Sequence, residues 1–188
     1  MQISTEEKKH AVCVQGVTCA ACRVLYPRME GKENITAIYE EMAENLLAFF
    51  RERAEIYGNA FSSLPRRERR NFAPLRMNMF FSVTYMDEKI VSLVREYVLC
   101  EGKALIAYRK SGEVWDIESE LLLPPRAFFP HKLWKNAEKE EFYFDGEAVL
   151  IENHFPEAVS GDGRRTKLSD YIIETRIKTQ ARQKPRSS

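Results

Sequence analysis

The stretch Asn34–Gly58, NITAIYEEMAENLLAFFRERAEIYG, is the part of the sequence that decides the fold. Large apolar residues recur in it at steps of three and four, with charged residues between them, which predicts an amphipathic helix of about six turns. Asn34 is a candidate N-cap, and Gly58 lies near the expected end. One apolar stripe of this helix should be buried, and it consists of Ile35, Ile38, Tyr39, Met42, Leu46, Phe49, Phe50 and Tyr57.

The segment before this helix, His10–Met29, has the pattern of two extended strands. Val12 and Val14 alternate with other residues, Gly16 interrupts the pattern, and Cys22–Tyr26 resumes it. Two β-patterned runs on either side of a glycine predict a hairpin.

The segment after the helix predicts four strands joined by short connections, and therefore an antiparallel meander. Apolar residues alternate with period two in its first strand, and turn residues separate the first three strands from one another. The break before the fourth strand falls at Ser111-Gly112. We place the strands at Met77–Tyr85, Ile90–Cys100, Ala104–Arg109 and Glu113–Ile117.

The last part of the sequence predicts a second hairpin and a closing helix. Phe142–Phe144 and Ala148–Ile151 flank Asp145-Gly146, a pair that supplies the positive φ of a tight turn. Ser169 is a candidate cap for a helix in which Tyr171, Ile172 and Ile173 face the core.

These elements predict an α+β fold, in which an antiparallel sheet of meander and hairpins is packed by one long amphipathic helix and a C-terminal helix. A length of 188 residues suits one domain. We therefore expect a single domain over residues 1–180, followed by a flexible basic tail over residues 181–188. The content of 44% hydrophobic and 11% aromatic residues excludes an intrinsically disordered chain.

Charge and hydropathy limit the classes of partner and the compartment. Lys and Arg total 29 against 28 Asp and Glu, so the chain lacks the basic excess of a nucleic-acid-binding protein. The first residues carry no apolar run typical of an export signal, and no window is long and apolar enough for a membrane span. We expect a cytoplasmic protein with free thiols, no nucleic acid partner and no membrane partner.

The order of elements and several short motifs resemble a known family. These motifs are Tyr26-Pro27, Phe81-Ser82-Val83-Thr84-Tyr85, Val91-Ser92-Leu93, Val114-Trp115-Asp116-Ile117, Phe128-Phe129 and Phe142-Tyr143-Phe144. Over roughly Val24 to Tyr171 the chain is similar to the domain of unknown function in the extracellular half of the anti-sigma factor RsiV, which is related to the N-terminal region of the deacetylase PdaC. The resemblance implies an α+β fold and a protein-binding role.

Three cysteines near the N-terminus are the strongest chemical signal. Cys19-Ala20-Ala21-Cys22 resembles the loop of heavy-metal-associated domains, in which two thiolates hold soft Cu(I), and Cys13 could supply a third ligand. The residues that follow are strand-like, however, and a regular strand would point Cys19 and Cys22 to opposite faces. Structural thiols are the favoured interpretation, with metal binding and redox activity as alternatives.

No other motif predicts catalysis or a cofactor. The three histidines are scattered without the spacing of a triad or a metal site. The basic run Arg66–Arg70 could contact phosphates, although a solvated surface is the simpler interpretation. We therefore expect a non-catalytic module without a cofactor that binds a protein or a ligand. Its candidate anchors are the aromatic residues Phe128, Phe129 and Trp134, because aromatic side chains dominate interfaces.

Overall fold

The computed structural model describes residues 1–124, 127–128, 141–153 and 171–177. Strands β1 to β6 form one sheet in chain order, and β7 to β9 form a second. The elements are β1 (Ile3–Val14), β2 (Val17–Met29), α1 (Glu33–Ser63), β3 (Leu75–Met86), β4 (Ile90–Glu101), β5 (Ala104–Asp116), β6 (Leu121–Leu122), β7 (Glu141–Phe144), β8 (Ala148–Asn153) and β9 (Ile172–Ile177). The α+β class is confirmed.

The chain divides into two compact units. Unit 1 contains Met1–Phe81 and Glu96–Arg109, and unit 2 contains Ser82–Arg95 and Lys110–Ser188. The prediction of one domain over residues 1–180 is not tested by this division. The tail over residues 181–188 lies outside the described residues.

The first hairpin is confirmed in unit 1. β1 and β2 pair along their whole length, from Ile3 opposite Met29 to Val14 opposite Val17. The two-residue loop between them has positive φ at both Gln15 and Gly16, at 51° and 78°. This backbone is typical of the tight turns whose twist matches that of paired strands.

The sheet of unit 1 is not purely antiparallel, so that part of the predicted fold class is wrong. β2 and β3 pair in parallel, from Ala20 opposite Leu75 to Val24 opposite Met79. A parallel pair needs a long crossover, and α1 with the residues after it provides one. The helix therefore both covers the sheet and reverses the chain direction.

The long helix is confirmed, but its end and its buried stripe differ from the prediction. It begins at Glu33 with Lys32 at the N-cap position, so Asn34 is not the cap, and it continues through Gly58 to Ser63. Ile38 and Phe49 are exposed, at 47% and 43%. The buried positions recur at steps of four and three, and they are Ile35, Tyr39, Ala43, Leu47, Phe50, Ala54, Gly58 and Phe61.

Small residues explain why that stripe is buried rather than the larger one beside it. α1 packs on β1 and β2. A Cβ atom added to Gly58 would lie 2.9 Å from Cγ1 of Val12 on β1. With Ala43 and Ala54 on the same stripe, the helix axis can approach the sheet closely, whereas Ile38 and Phe49 lie outside that contact.

In unit 2, the predicted break at Ser111-Gly112 is wrong, because β5 runs through both residues. Gly112 is needed there for space: a Cβ atom would lie 2.2 Å from the carbonyl oxygen of Phe142 on β7. Phe142 also belongs to a buried apolar cluster with Ile90, Val114 and Ala148. The glycine therefore lets β7 lie directly against β5.

A half-buried hydroxyl group and a buried one complete the attachment of β7. The side chain of Thr84 on β3 donates to the carbonyl oxygen of Phe144 at 2.8 Å. The Ser92 hydroxyl on β4 accepts the Phe144 N–H at 2.9 Å, and the two hydroxyl oxygens are themselves 2.9 Å apart. Both backbone groups of Phe144 thus find side-chain partners, as buried polar groups require.

The second hairpin is confirmed, and the C-terminal helix is wrong. β7 and β8 pair around a turn in which Gly146 has a φ of 105°. Ile172 and Ile173, which we assigned to the closing helix, lie in strand β9, where they pair with Asn153 and Glu152 of β8. This pairing supplies backbone partners that lie 19 or more residues away along the chain.

Candidate functional site

The basic run after α1 forms one side of an open cleft of about 610 Å³ in unit 1. The chain leaves α1 at Ser63, turns through Pro65–Glu68, and forms a short 3-10 turn at Arg69–Asn71. This path brings the run back beside the tip of the β1–β2 hairpin. The lining residues, which we call the arginine cleft, are Gln15, Val17, Phe61, Arg66, Arg69 and Arg70.

Arg69 is the positioning residue of the arginine cleft. Its Nε donates to the carbonyl oxygen of Leu64 at 3.0 Å and its Nη2 to that of Ser62 at 3.1 Å, so it neutralises the carbonyl-rich end of α1. Its Nη1 donates to the side chain of Gln15, and its guanidinium lies 5.1 Å from the centre of the Phe61 ring. One side chain thus joins the hairpin tip to the end of the helix.

Arg66 and Arg70 differ from Arg69, because neither forms an ion pair or a hydrogen bond within the described part of the chain. Both are exposed. Their neighbour Arg67 lies 3.5 Å from a carboxylate oxygen of Glu68, so it is already paired. Two guanidinium groups at the cleft therefore keep their donors available for an outside acceptor, and such donors match carboxylate or phosphate groups.

Apolar surface completes the arginine cleft. Val17, the first residue of β2, is 43% exposed, and the ring of Phe61 lies beneath the guanidinium of Arg69. A ligand that places an anionic group on Arg66 and Arg70 could therefore also place an apolar group on Val17. This combination favours a mixed ligand over a bare inorganic ion.

A second cleft at the opposite end of the hairpin, of about 330 Å³, lacks this character. Its one arginine, Arg28, lies 3.9 Å from a carboxylate of Glu6, and Glu30 and Glu33 also line it. The surplus of acidic groups there opposes an anionic ligand. Of these two clefts, only the arginine cleft offers uncompensated positive charge.

The structure places the three predicted thiols in different environments. Cys13 is exposed, and its sulfur lies 3.6 Å from the Thr18 hydroxyl. Cys19 and Cys22 are buried free thiols. The register of the hairpin shifts between Val12 and Cys13, so that Cys19 has no partner on β1. The strand is therefore not regular at Cys19, and the rule of opposite faces does not apply across this bulge.

Burial raises the pKa of the Cys22 thiol to about 12. A metal or a redox reaction requires the thiolate, so this environment favours a neutral structural thiol. Within the described residues, no three His, Cys, Asp or Glu side chains form a group that could hold a metal ion. Metal binding by Cys19 and Cys22 stays a prediction, which native mass spectrometry with and without added Cu(I) would test.

Of the three predicted aromatic anchors, only Phe128 lies within the described residues. It is half-buried, and its ring lies 5.5 Å from those of both Phe142 and Phe144. Much of its surface is therefore already used inside unit 2. Phe129 and Trp134 lie outside the described residues, so their role as anchors stays a prediction.

Sequence reasoning identified the basic run but not the residues around it. The spacing of Arg66–Arg70 gives no sign that Gln15 and Val17, about fifty residues earlier, lie beside it. The one available signal is the tight turn at Gly16, which predicts an exposed hairpin tip without indicating which residues it contacts.

Within the described part of the chain, no helix combines the length and apolar character that a membrane crossing needs.

Comparison with solved structures shows a known fold. No family model and no curated protein matches the sequence. A DUF3298 family member from Bacteroides fragilis aligns with a TM-score of 0.58 at 10% identity, and the alignment covers 94% of this chain and 90% of that one. A DUF3298 family protein from Pseudomonas aeruginosa aligns with a TM-score of 0.57 at 12% identity, with the same coverage. The chain is thus similar in fold to domains of unknown function, while the closer likeness to RsiV stays a prediction.

Proposed function

We propose that this chain is a non-catalytic binding module whose arginine cleft takes an acidic segment of a partner protein. The observation that carries the proposal is the pair of exposed guanidinium groups, Arg66 and Arg70, beside the apolar surface of Val17. Arg69 holds the cleft together through Gln15 and the end of α1. The part of the cleft around Arg69 is therefore in place before a ligand arrives, which reduces part of the entropy cost of binding.

A peptide suits this cleft better than a nucleic acid does. The chain has a formal net charge of only +1, so the positive field is local and does not extend along a surface that could follow a phosphate backbone. An acidic peptide needs only a few carboxylates, and arginine binds each of them in a bidentate arrangement. Its apolar side chains would pack on Val17.

The test uses a fluorescein-labelled peptide of alternating glutamate and leucine. Its binding to the full chain is measured by fluorescence anisotropy. We expect binding that weakens as salt is added, because the contacts are charge-assisted and exposed. Arg66→Gln together with Arg70→Gln should weaken binding about tenfold or more, as expected for the loss of two charged hydrogen-bonding groups.

A matched double variant provides the control. Arg51 on α1 and Arg76 on β3 are exposed, and Arg51→Gln with Arg76→Gln removes the same charge outside the cleft. This control should change the affinity less than about twofold. An equal loss in both double variants would mean that net charge alone attracts the peptide. If a single-stranded oligonucleotide binds as tightly as the peptide or more tightly, the proposal of a protein partner is overturned.

The cytoplasmic location stays part of the proposal. The four cysteines are free in the structure, which suits a reducing compartment. Alkylation of the protein in intact cells, followed by mass spectrometry, would test this by counting the thiols that remain reduced.

A further inference from the structure

The outer edge of β1 is a long strand edge to which the described residues contribute no second neighbour. β1 lies at one end of the six-stranded sheet and pairs only with β2 there. It has twelve residues and contains no proline or glycine. The opposite end of the sheet is β6, which has only two residues. Short edges resist pairing, whereas a long regular edge offers a row of free backbone groups.

The backbone groups that point outward can be identified from the hairpin. The Glu30 N–H donates to the carbonyl oxygen of Gln2 at 3.0 Å, so the backbone of Gln2 faces β2. Backbone groups of an antiparallel strand alternate in direction from one residue to the next. The N–H and C=O groups of Thr5, Glu7, Lys9 and Ala11 therefore point away from β2.

The side chains along this edge have a charge order that complements itself. Glu6 and Glu7 come first, followed by Lys8, Lys9 and His10. When such a strand meets a reversed copy of itself, the acidic end of each lies against the basic end of the other. A partner of unrelated sequence would have to reproduce this order, whereas a second copy of the chain supplies it automatically.

We propose that the chain forms a homodimer in which two β1 strands pair antiparallel about a two-fold axis at Lys8. This register places Glu7 of each copy opposite Lys9 of the other, and Glu6 opposite His10. It also pairs Thr5 with Ala11 of the second copy, so the outward backbone groups of all four residues find partners. About eight backbone hydrogen bonds would join the two sheets.

The two Lys8 side chains face each other at the axis, but each is already neutralised. Within its own copy, the Lys8 Nζ forms ion pairs with Glu40 and Glu44 of α1. Shifting the axis to Glu7 would place Glu7 against Glu7 and Lys9 against Thr5. The register centred on Lys8 therefore uses the charges more completely.

Charge reversal provides a sharp test, with the mass of the full chain measured by light scattering after size-exclusion chromatography. The wild type should have about twice the 21.9 kDa of one chain. Glu7→Lys alone places Lys against Lys9, and Lys9→Glu alone places Glu against Glu7. Glu7 and Lys9 already form an ion pair with each other within one copy, at 2.6 Å, and they would also attract across the axis. Each change should raise the dimer Kd about tenfold or more, because both cross-strand pairs become repulsive.

An equimolar mixture of the two variants should recover the dimer, because each Glu then faces a Lys again. Glu41→Lys and Lys103→Glu, at exposed positions away from β1, should leave the wild-type dimer unchanged. Circular dichroism of every variant checks that the fold persists.

Three results would overturn the proposal. A wild type that is monomeric at every concentration would mean that the charges keep this edge unpaired. A Lys9→Glu variant that dimerises as tightly as the wild type would exclude the register at Lys8. A mixture of the variants that stays monomeric would exclude the Glu7–Lys9 pairing. None of these results depends on the arginine cleft.

Discussion

Gly58 in the helix of unit 1 and Gly112 in a strand of unit 2 both fill tight contacts, but they meet different neighbours. Both lie inside a regular element, and neither has a positive φ. A Cβ at Gly58 would approach a methyl group of Val12 at 2.9 Å. A Cβ at Gly112 would approach the Phe142 carbonyl oxygen at 2.2 Å and the Tyr143 nitrogen at 2.8 Å.

This difference shows two ways of bringing elements together. In unit 1 a helix approaches strands through side chains, and a side chain can rotate to make room. In unit 2 a strand backbone lies on a strand backbone, and the Phe144 backbone is tied by Thr84 and Ser92. Backbone held by hydrogen bonds on both sides has little freedom to move, so we expect the two glycines to respond differently to the same substitution.

The largest effect should follow Gly112→Ala. The new methyl group cannot avoid the Phe142 carbonyl unless β7 moves, so we expect a loss of more than about 3 kcal/mol in the free energy of unfolding. Urea denaturation monitored by circular dichroism measures it. A loss below about 1 kcal/mol would show that β7 can shift freely. One shared transition for both units would also support the single domain predicted over residues 1–180.

An intermediate effect should appear at high pH through Tyr143, the neighbour of Phe142 on β7. Burial, with Glu174 nearby, raises the pKa of Tyr143 to about 12. The folded state then holds this proton more tightly than the unfolded chain, whose tyrosine pKa is about 10. The resulting stability is complete below pH 10 and is lost as the pH rises from about 10 through 12.

Comparison of the wild type with Tyr143→Phe between pH 8 and 12 isolates this contribution, which we expect to be about 1 kcal/mol after solvent screening. The same titration sharpens the contrast between the glycines. If Gly112→Ala displaces β7, the pKa of Tyr143 should fall towards 10, while Gly58→Ala should leave it unchanged. An unchanged Tyr143 pKa in Gly112→Ala would mean that the strain is relieved elsewhere.

The smallest effect should follow Gly58→Ala. Alanine is a better helix former than glycine by about 1 kcal/mol, which offsets the cost of moving the Val12 side chain. The net change in the free energy of unfolding should therefore stay within about 1 kcal/mol of zero. In a Val12→Ala background, the same substitution should become stabilising, because the obstructing methyl groups are gone. Thermal unfolding of the wild type, both single variants and the double variant measures the coupling between positions 12 and 58. If Gly58→Ala changes the stability equally in both backgrounds, the Val12 side chain does not obstruct the new methyl group.

The candidate site could be predicted only in part. The run Arg66–Arg70 is visible in the sequence, where a solvated surface is the simpler interpretation and contact with phosphates the alternative. Which arginines are available depends on Gln15 and on the carbonyl groups of Ser62 and Leu64, which together hold Arg69. No local pattern encodes those contacts. The predicted anchor Phe128 shows the same limit, since its aromatic ring packs on Phe142 and Phe144.

The sequence by itself determined the features that depend on near neighbours in the chain. These are the helix, from its period of three and four, and the two hairpins, from Gly16 and Asp145-Gly146 at their turns. The tertiary structure decided the rest. It selected the helix stripe with small residues, because Ala43, Ala54 and Gly58 let the helix lie closer to the sheet than Ile38 and Phe49 would. It paired β2 with β3 in parallel, and it drew Ile172 and Ile173 into a strand on β8. The backbone N–H and C=O groups of these strands bond to strands that are distant in sequence, and a local sequence pattern does not specify those partners. The strand pairings are therefore fixed only when the chain folds.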